Sequence, residues 1–562
     1  MGAITLDQML GPSVPAGPAT PSVSVLPGAG TGGEKALGAF EGADRWSATQ
    51  RLWNPPLQSV DSDYLPEMGT IAARSNDMLR NDAYVQGGQT LHKDNIVGSY
   101  FMPNCRPVTK VLLGKQDDTW EEEFQEEVEE KFELYWDSQD KWIDAAGQNT
   151  GTELVRLGVG VHVARGEMLA SVEWLRNEPG RPFSTAINML DLDRLSTAPD
   201  SNYDTEVRAG IRRNRFGKPI AYQISTRNPR DYPWTYGPLD WKEIAARKPW
   251  GRLQMIHLFE QVRPDQTRGI PDMAAALKEM KITRDFRDIT LQRAVAQALY
   301  AAVITSELPT EQLFTQLGAI NPGATVTPEM AEAAITNYAE GYLSAIAGYA
   351  GTKVDGVRVP HLFPGTDFKL LANHGTDSRG MEFEQSLLRY IAATLGVSYE
   401  QLSRDYTQTN YSSARAAMTE TWKFMQARKK VVADQFASIM FRLWFEEAFN
   451  KGLIDSTTRA MRQPGWLYQG QRLDAITKVD WIGASRGQID ELKETQAAVL
   501  RINNGLSTAE DELARLGKDW RKVYRQLKRE QALRETYGLV FAANDPAVMA
   551  LAATPPDEGK KQ

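Results

Sequence analysis

"LSRDYTQTNYSSARAAM", Leu402 to Met418, joins two stretches that both read as amphipathic helix, yet its first half is polar. Between Ser403 and Asn410 the one ring is Tyr406, and no aliphatic side chain occurs. Ahead of it, "SRGMEFEQSLLRYIAATLG" carries Phe383, Leu387, Tyr390, Ile391 and Leu395 along one side, with Gly396 as a stop. Behind it, the chain runs from Tyr411 to Gly452 with no Pro or Gly between them. Asn410 or Ser412 is placed to cap that second helix. At ~1.5 Å per residue it would be on the order of 60 Å long, which predicts a spine joining separate domains.

Further out, residues 271–305 form another long helical segment that opens on Pro271, a residue suited to a first helical turn. Ile282, Phe286 and Ile289 mark one face of it. Lys278, Lys281, Arg284, Arg287 and Arg293 are interleaved with Asp272, Glu279, Asp285 and Asp288, a nearly neutral mixture suited to polar neighbours on several sides. Residues 306–366 bring Pro and Gly punctuation around a short helix and read as a separate excursion. In "TWEEEFQEEVEEKFELYW", Trp120, Phe124, Val128, Phe132 and Tyr135 make one apolar helix stripe, and the carboxylates predict a solvated face opposite it. Residues 150–265 read as α+β: "LVRLGVGVHVA" and "PIAYQIS" are strand-like, and "RFGKP" and "NPRDYPWTYGP" mark turns. A helical segment begins near 486. Residues 1–45, rich in Pro, Gly, Ala, Ser and Thr, are expected to be a disordered arm, and 541–562 a tail of the same kind.

The chain has 562 residues, too many for one core. Its 42% hydrophobic and 24% charged residues are those of a globular protein. There is no apolar run long enough for a membrane span and no basic-then-apolar leader, so neither is expected. The single cysteine, Cys105, excludes an intramolecular disulfide framework and suits a reducing compartment. The net charge of −8 argues against whole-surface attraction to phosphates and leaves local basic patches open.

Catalytic patterns are sparse. "GASRG", Gly483 to Gly487, fits G-x-S-x-G after a strand-like run, which would make Ser485 a nucleophile. That elbow needs its histidine downstream, and His92, His162, His257, His361 and His374 all precede it. The Gly-Lys pairs at Gly114, Gly217 and Gly517 lack the rest of a P-loop. The histidines and one cysteine supply no Cys/His zinc pattern. No enzyme activity and no cofactor are expected.

"LGVSYEQLSRDYTQTNYSSARAAM" resembles the signature of the lambda-type portal proteins of tailed bacteriophages. In the same order, "MLRNDAYVQGGQTLHKDNIVGSYF", "HLFEQVRPDQTRGIP" and "IDELKETQAAVLRINNGLSTAEDELARLGKDW" agree, so the likeness runs from about Ile71 to Leu539. The resemblance implies an α+β portal fold assembled as a ring, dodecameric in the virion, at one capsid vertex. It implies a wing (46–270 and 411–485), stem helices (271–305 and, within 367–397, residues 378–396), a clip (306–366), a tunnel loop (398–410) and a helical crown (486–540). Such a ring nucleates head assembly, passes double-stranded DNA without sequence preference, and meets the terminase large subunit, head–tail adaptor, major capsid and scaffold proteins. It is built in the host cytoplasm and resides in the virion.

The same likeness places Ser403, Arg404, Asp405, Tyr406, Thr407, Gln408, Thr409 and Asn410 at the tightest part of the channel. Lys278, Lys281, Arg284, Arg287 and Asp288 become channel-lining candidates. Weak hydrogen-bonding groups, with Arg404 partly neutralised by Asp405, would let duplex slide, because base contacts specify and phosphate contacts hold. The alternatives are another virion component, such as a head or baseplate protein, and a serine hydrolase using Ser485.

Overall fold

The computed structural model describes residues 52–176, 178–231, 239–299, 376–407, 409–487 and 490–538, with scattered positions between 329 and 358. The calls on the arm 1–45, the tail 541–562 and Gln408 therefore lie outside the described residues, as does nearly all of 306–366.

The helices used below are α1 (Met68–Asn81), α2 (Ala83–Ile96), α3 (Asp118–Trp136), α4 (Gly151–Arg165), α5 (Leu277–Leu299), α6 (Thr376–Thr394), α7 (Tyr399–Ser403), α8 (Tyr411–Arg428), α9 (Asp434–Asn450), α10 (Glu491–Asn503), α11 (Ala509–Arg515) and α12 (Trp520–Tyr537). A three-stranded antiparallel sheet has Glu167–Trp174 between Thr185–Met189 and Met255–Phe259. A second, four-stranded sheet follows the chain from Val207 to Ala245 and includes Pro219–Ser225, the strand expected at "PIAYQIS". Met102–Cys105 pairs antiparallel with Val479–Ile482, so the far end of the chain closes onto its beginning. No helix among the described residues is long and apolar enough to cross a membrane.

The stripe on α3 packs as its spacing predicts. Phe124, Val128 and Phe132 are fully buried, and the Phe132 ring centroid lies 4.9 Å from that of Trp444 and 5.0 Å from that of Phe441 on α9. The acidic face of α3 is in part the solvated surface expected of it, with Glu122 and Glu123 exposed, and in part a contact. Glu129 is buried against Arg521 at 3.1 Å, Glu133 pairs with Lys522 at 2.6 Å, and Glu130 pairs with Arg525 at 2.6 Å. Glu126, Glu129, Glu130 and Glu133 are the strip on which the basic side of α12 lies. Burial pushes the Glu129 carboxyl up to about 7 despite Arg521 beside it.

"LVRLGVGVHVA" is helix α4, not a strand. Val159, Val161 and Val163 imitate a two-residue period, and β-branched residues favour strands. Two other forces win. Thr150 and Glu153 form a reciprocal capping box at the helix start. Burial then falls on almost every side, on Leu154, Val155, Val159, His162 and Val163, so no amphipathic period remains to read. A Cβ at Gly158 would meet the Met168 side chain at 2.9 Å, so glycine lets α4 close onto the sheet.

The segment from Tyr411 to Asn450 is helical throughout: α8, a π-helical turn at Lys429–Ala433, then α9. Its second half is not a bare spine. Phe436, Phe441, Trp444 and Phe445 are fully buried, in one hydrophobic cluster with α3, α4 and the strand at 479–482.

Candidate nucleic-acid interface

The polar crossing is built from a short helix and a knotted loop. Ser398 and Gln401 form a capping box that starts α7, and Leu402, 4% exposed, anchors its end. Arg404 closes it in the left-handed region, with φ +57°. The Ser403 hydroxyl donates to the Tyr399 carbonyl at 2.8 Å and accepts from the Asp405 amide at 3.2 Å. The Thr407 amide and hydroxyl both donate to one Asp405 oxygen, at 3.0 and 2.6 Å. Those two bonds hold the Asp405 carboxyl below its ordinary range. The Thr409 amide donates to the Tyr406 carbonyl at 3.2 Å, and Asn410, not Ser412, caps α8 by accepting from the Ser413 amide at 2.8 Å.

This revises the chemistry expected of the loop. Ser403, Asp405, Thr407 and Asn410 hold the loop's own shape instead of standing free. Arg404 is exposed, and among the described residues it makes no ion pair with Asp405 or any other carboxylate. Arg404 and Tyr406 are exposed, Tyr406 to 49%, as are Thr407 and Asn410, whose side chains are held by the loop's own bonds.

The five candidates on α5 and its entry divide in two. Arg284 pairs with Asp77 on α1 at 3.2 Å, Arg287 pairs with Glu384 on α6 at 2.5 Å, and Lys281 pairs with Asp285. Arg287 also stacks 4.1 Å from the Tyr84 ring centroid on α2. Lys278 and Asp288 are exposed and make no ion pair among the described residues. Of the face marked by Ile282, Phe286 and Ile289, Phe286 meets Phe383 on α6 at 5.7 Å, while Ile289 is 64% exposed among the described residues.

Beneath the loop lies a polar knot that sequence reasoning missed. His92 Nε2 donates to the Leu395 carbonyl at 2.8 Å, and the His92 ring meets Phe424 edge-on at 6.0 Å. Arg428 lies over the same Phe424 and pairs with Asp272. His162 is buried with neither ring nitrogen hydrogen-bonded. Nothing in the spacing of these residues announces the cluster, since its members come from five separate parts of the chain.

Burial, with Arg428 alongside, pushes His92 and His162 down to about 4. Between about 6.5 and that value the unfolded chain binds protons that the folded chain refuses, so stability falls as pH falls. The thermal midpoint should therefore drop from pH 7 to pH 5, and His162→Leu should flatten the drop. An equal drop in both proteins would refute the assignment.

Ser485 is exposed in the turn after Val479–Ile482 and lacks the positive φ of a nucleophile elbow. None of the described histidines hydrogen-bonds it; His257 instead contacts Glu167 at 2.9 Å.

The profile described as phage portal protein, lambda family, matches residues 47–429. Portal protein B of Escherichia phage lambda is 36% identical over 527 residues, 92% of this chain and 94% of that protein. The portal protein of Escherichia phage N15 is 36% identical over 519 residues, 92% of this chain and 93% of its own. A chain in the solved virion of a native gene transfer agent particle covers 80% of this chain and 93% of its own at 12% identity and a TM-score of 0.38, too loose to carry an argument.

Proposed function

The chain belongs to the lambda family of phage portal proteins, a virion component of the capsid's portal vertex, and from that premise we propose that copies of it surround a bore whose narrowest collar is residues 403–410. Membership sets aside the head or baseplate reading and leaves the hydrolase reading without support. In this proposal the wing is 46–270 with 411–485, the stems are α5 and α6, and 306–366 is the clip. The clip meets the terminase large subunit and then the head–tail adaptor. Residues 486–540, the crown, face the head interior, and the ring's outer surface meets major capsid and scaffold proteins during assembly. The protein itself catalyses nothing; packaging work comes from its partners.

One observation carries the collar: four of its polar side chains are hydrogen-bonded within the loop or to adjacent backbone. Ser403, Asp405, Thr407 and Asn410 are engaged with one another or with adjacent backbone, so they make poor clamps for a passing phosphate. Firm phosphate contacts would hold duplex in place, and base contacts would make passage depend on sequence. Paired stem charges serve the same end, because Arg284 and Arg287 are already matched by Asp77 and Glu384. Net negative charge, repeated around a ring, further weakens attraction of the backbone.

Negative-stain images of purified protein should show top views with a central hole and near twelve-fold symmetry; lone monomers would defeat the proposal. Arg404→Ala removes the exposed cation, and Asp405→Ala unties Thr407. Both variants should still form rings while yielding fewer DNA-filled heads. Normal packaging and ejection by both would deny the loop any specific role.

A further inference from the structure

A cleft of about 690 Å³ opens between α8, the turn at 483–487, α10 and the end of α11. Six of its lining side chains are basic: Arg415, Arg486, Lys493, Arg501, Arg515 and Lys518. Three are acidic, Glu491, Glu494 and Glu512, so the cleft is positive on a chain whose net charge is −8.

The pairing inside it is uneven. Glu512, 8% exposed, takes Arg501 through both oxygens, at 2.8 and 2.7 Å, and Arg515 at 2.8 Å. Lys493 is matched by Asp490 at 3.1 Å. Arg486 donates to the Thr419 hydroxyl at 2.6 Å, which holds the guanidinium in place without cancelling its charge. Arg415 and Lys518 are exposed, and among the described residues neither makes an ion pair.

Lys518 is brought here by Gly517, which has φ +73° and lies so close to the 483–485 turn that a Cβ would sit 3.3 Å from the Gly483 carbonyl oxygen. Arg415, Arg486 and Lys518 line the cleft from α8, the 483–487 turn and the stretch after α11 without an ion pair among the described residues. Glu491 and Glu494 are the lining carboxylates likewise without one. The Arg415 charge is felt by the Asp490 carboxyl, and the excess of cations over acids in the lining leaves room for an added anion.

We propose that this cleft binds the phosphate backbone of duplex DNA. The assignment of the ligand rests on the portal reading: Arg415 lies on the first turns of the helix that Asn410 caps, directly beyond the collar. Arg415 is the first basic residue of the chain after Arg404. Guanidinium groups dominate the lining, and their forked donors match phosphate oxygens better than an ammonium does. The collar and the cleft then differ in chemistry: the collar has Arg404 as its one cation beside side chains that bond to one another, and the cleft gathers six basic side chains against three acids. The chain separates sliding from holding.

The test is fluorescence anisotropy of a short labelled duplex against assembled rings over a range of KCl concentrations. The triple variant Arg415→Gln, Arg486→Gln, Lys518→Gln touches no buried side chain, and negative stain should confirm that its rings are intact. Wild-type rings should bind with a strong salt dependence. Losing three phosphate contacts should weaken binding and make the slope of log K against log salt shallower by about 2–3.

Unchanged affinity and slope in intact variant rings would overturn the proposal. So would binding of tripolyphosphate without duplex, which marks a small-anion site, or of polyglutamate without duplex, which marks an acidic protein partner. If wild-type protein forms no rings, the portal reading fails instead. The same titration on the subunit still decides whether the cleft holds DNA.

Discussion

Arg268→Ala subunits are expected to unfold at clearly lower urea concentration than wild type, a loss of about 3–5 kcal/mol from stranding a buried charge. Arg268 is fully buried, and its guanidinium makes three contacts with Glu167, at 2.9, 3.0 and 2.6 Å. Its remaining donors reach the carbonyls of Leu195 and Ala209, both at 3.1 Å. Glu167 also accepts from the Gly269 amide at 2.8 Å and contacts His257 at 2.9 Å. Burial alone would raise the Glu167 carboxyl; the Arg268 charge and the His257 hydrogen bond outweigh it and hold the group well below the carboxylate range.

Because the folded value lies below the unfolded one, the contribution is complete above pH ~4.5 and is lost as pH falls further. The double variant Arg268→Met, Glu167→Leu should recover part of the loss, since removing both charges leaves no bare ion. Recovery stays incomplete because His257 and the Gly269 amide lose their acceptor. A single variant as stable as wild type would show that the pair contributes nothing to the fold.

Gly396→Val is expected to destabilise the subunit and to cut the yield of DNA-filled heads more than a surface change would. Gly396 has φ +66°, and a β-branched residue held there costs about 1–3 kcal/mol in backbone strain. A Cβ at this position would also overlap the Phe424 ring, adding about 1–3 kcal/mol of overpacking. Phe424 cannot simply withdraw, because His92 meets it edge-on and Arg428 lies over it. The strain falls on the Leu395 carbonyl that His92 holds and on the entry to α7, which leads into the loop at 403–410. Gly396→Ala, which spares the branched carbon, should be milder in the thermal midpoint and in packaging. Equal midpoints for glycine, alanine and valine would refute the account.

Much of the architecture was legible from local pattern. The α3 stripe, the Gly396 stop, the Asn410 cap and the unbroken helix from Tyr411 onward depend on residues within a turn or two of one another. The local rules that govern them are short-ranged too. Pattern failed where burial left no contrast between faces, as in α4, whose valines mimic a strand inside an all-round apolar site. It also failed for charges, because sequence neighbours are not charge partners. Arg404 does not pair with Asp405, and the acids of α3 meet a helix whose Arg521 lies 392 residues beyond Glu129.

Helix, turn and crossing are therefore properties of this chain's order of residues, fixed by periods, caps and stops that act over a few positions. Which charges stay free is not. Coulomb energy depends on distance through space and on exclusion of water, and only folding decided that Asp405 takes Thr407 and not Arg404, that Arg428 meets Asp272, and that Arg415, Arg486 and Lys518 line one cleft without an ion pair among the described residues.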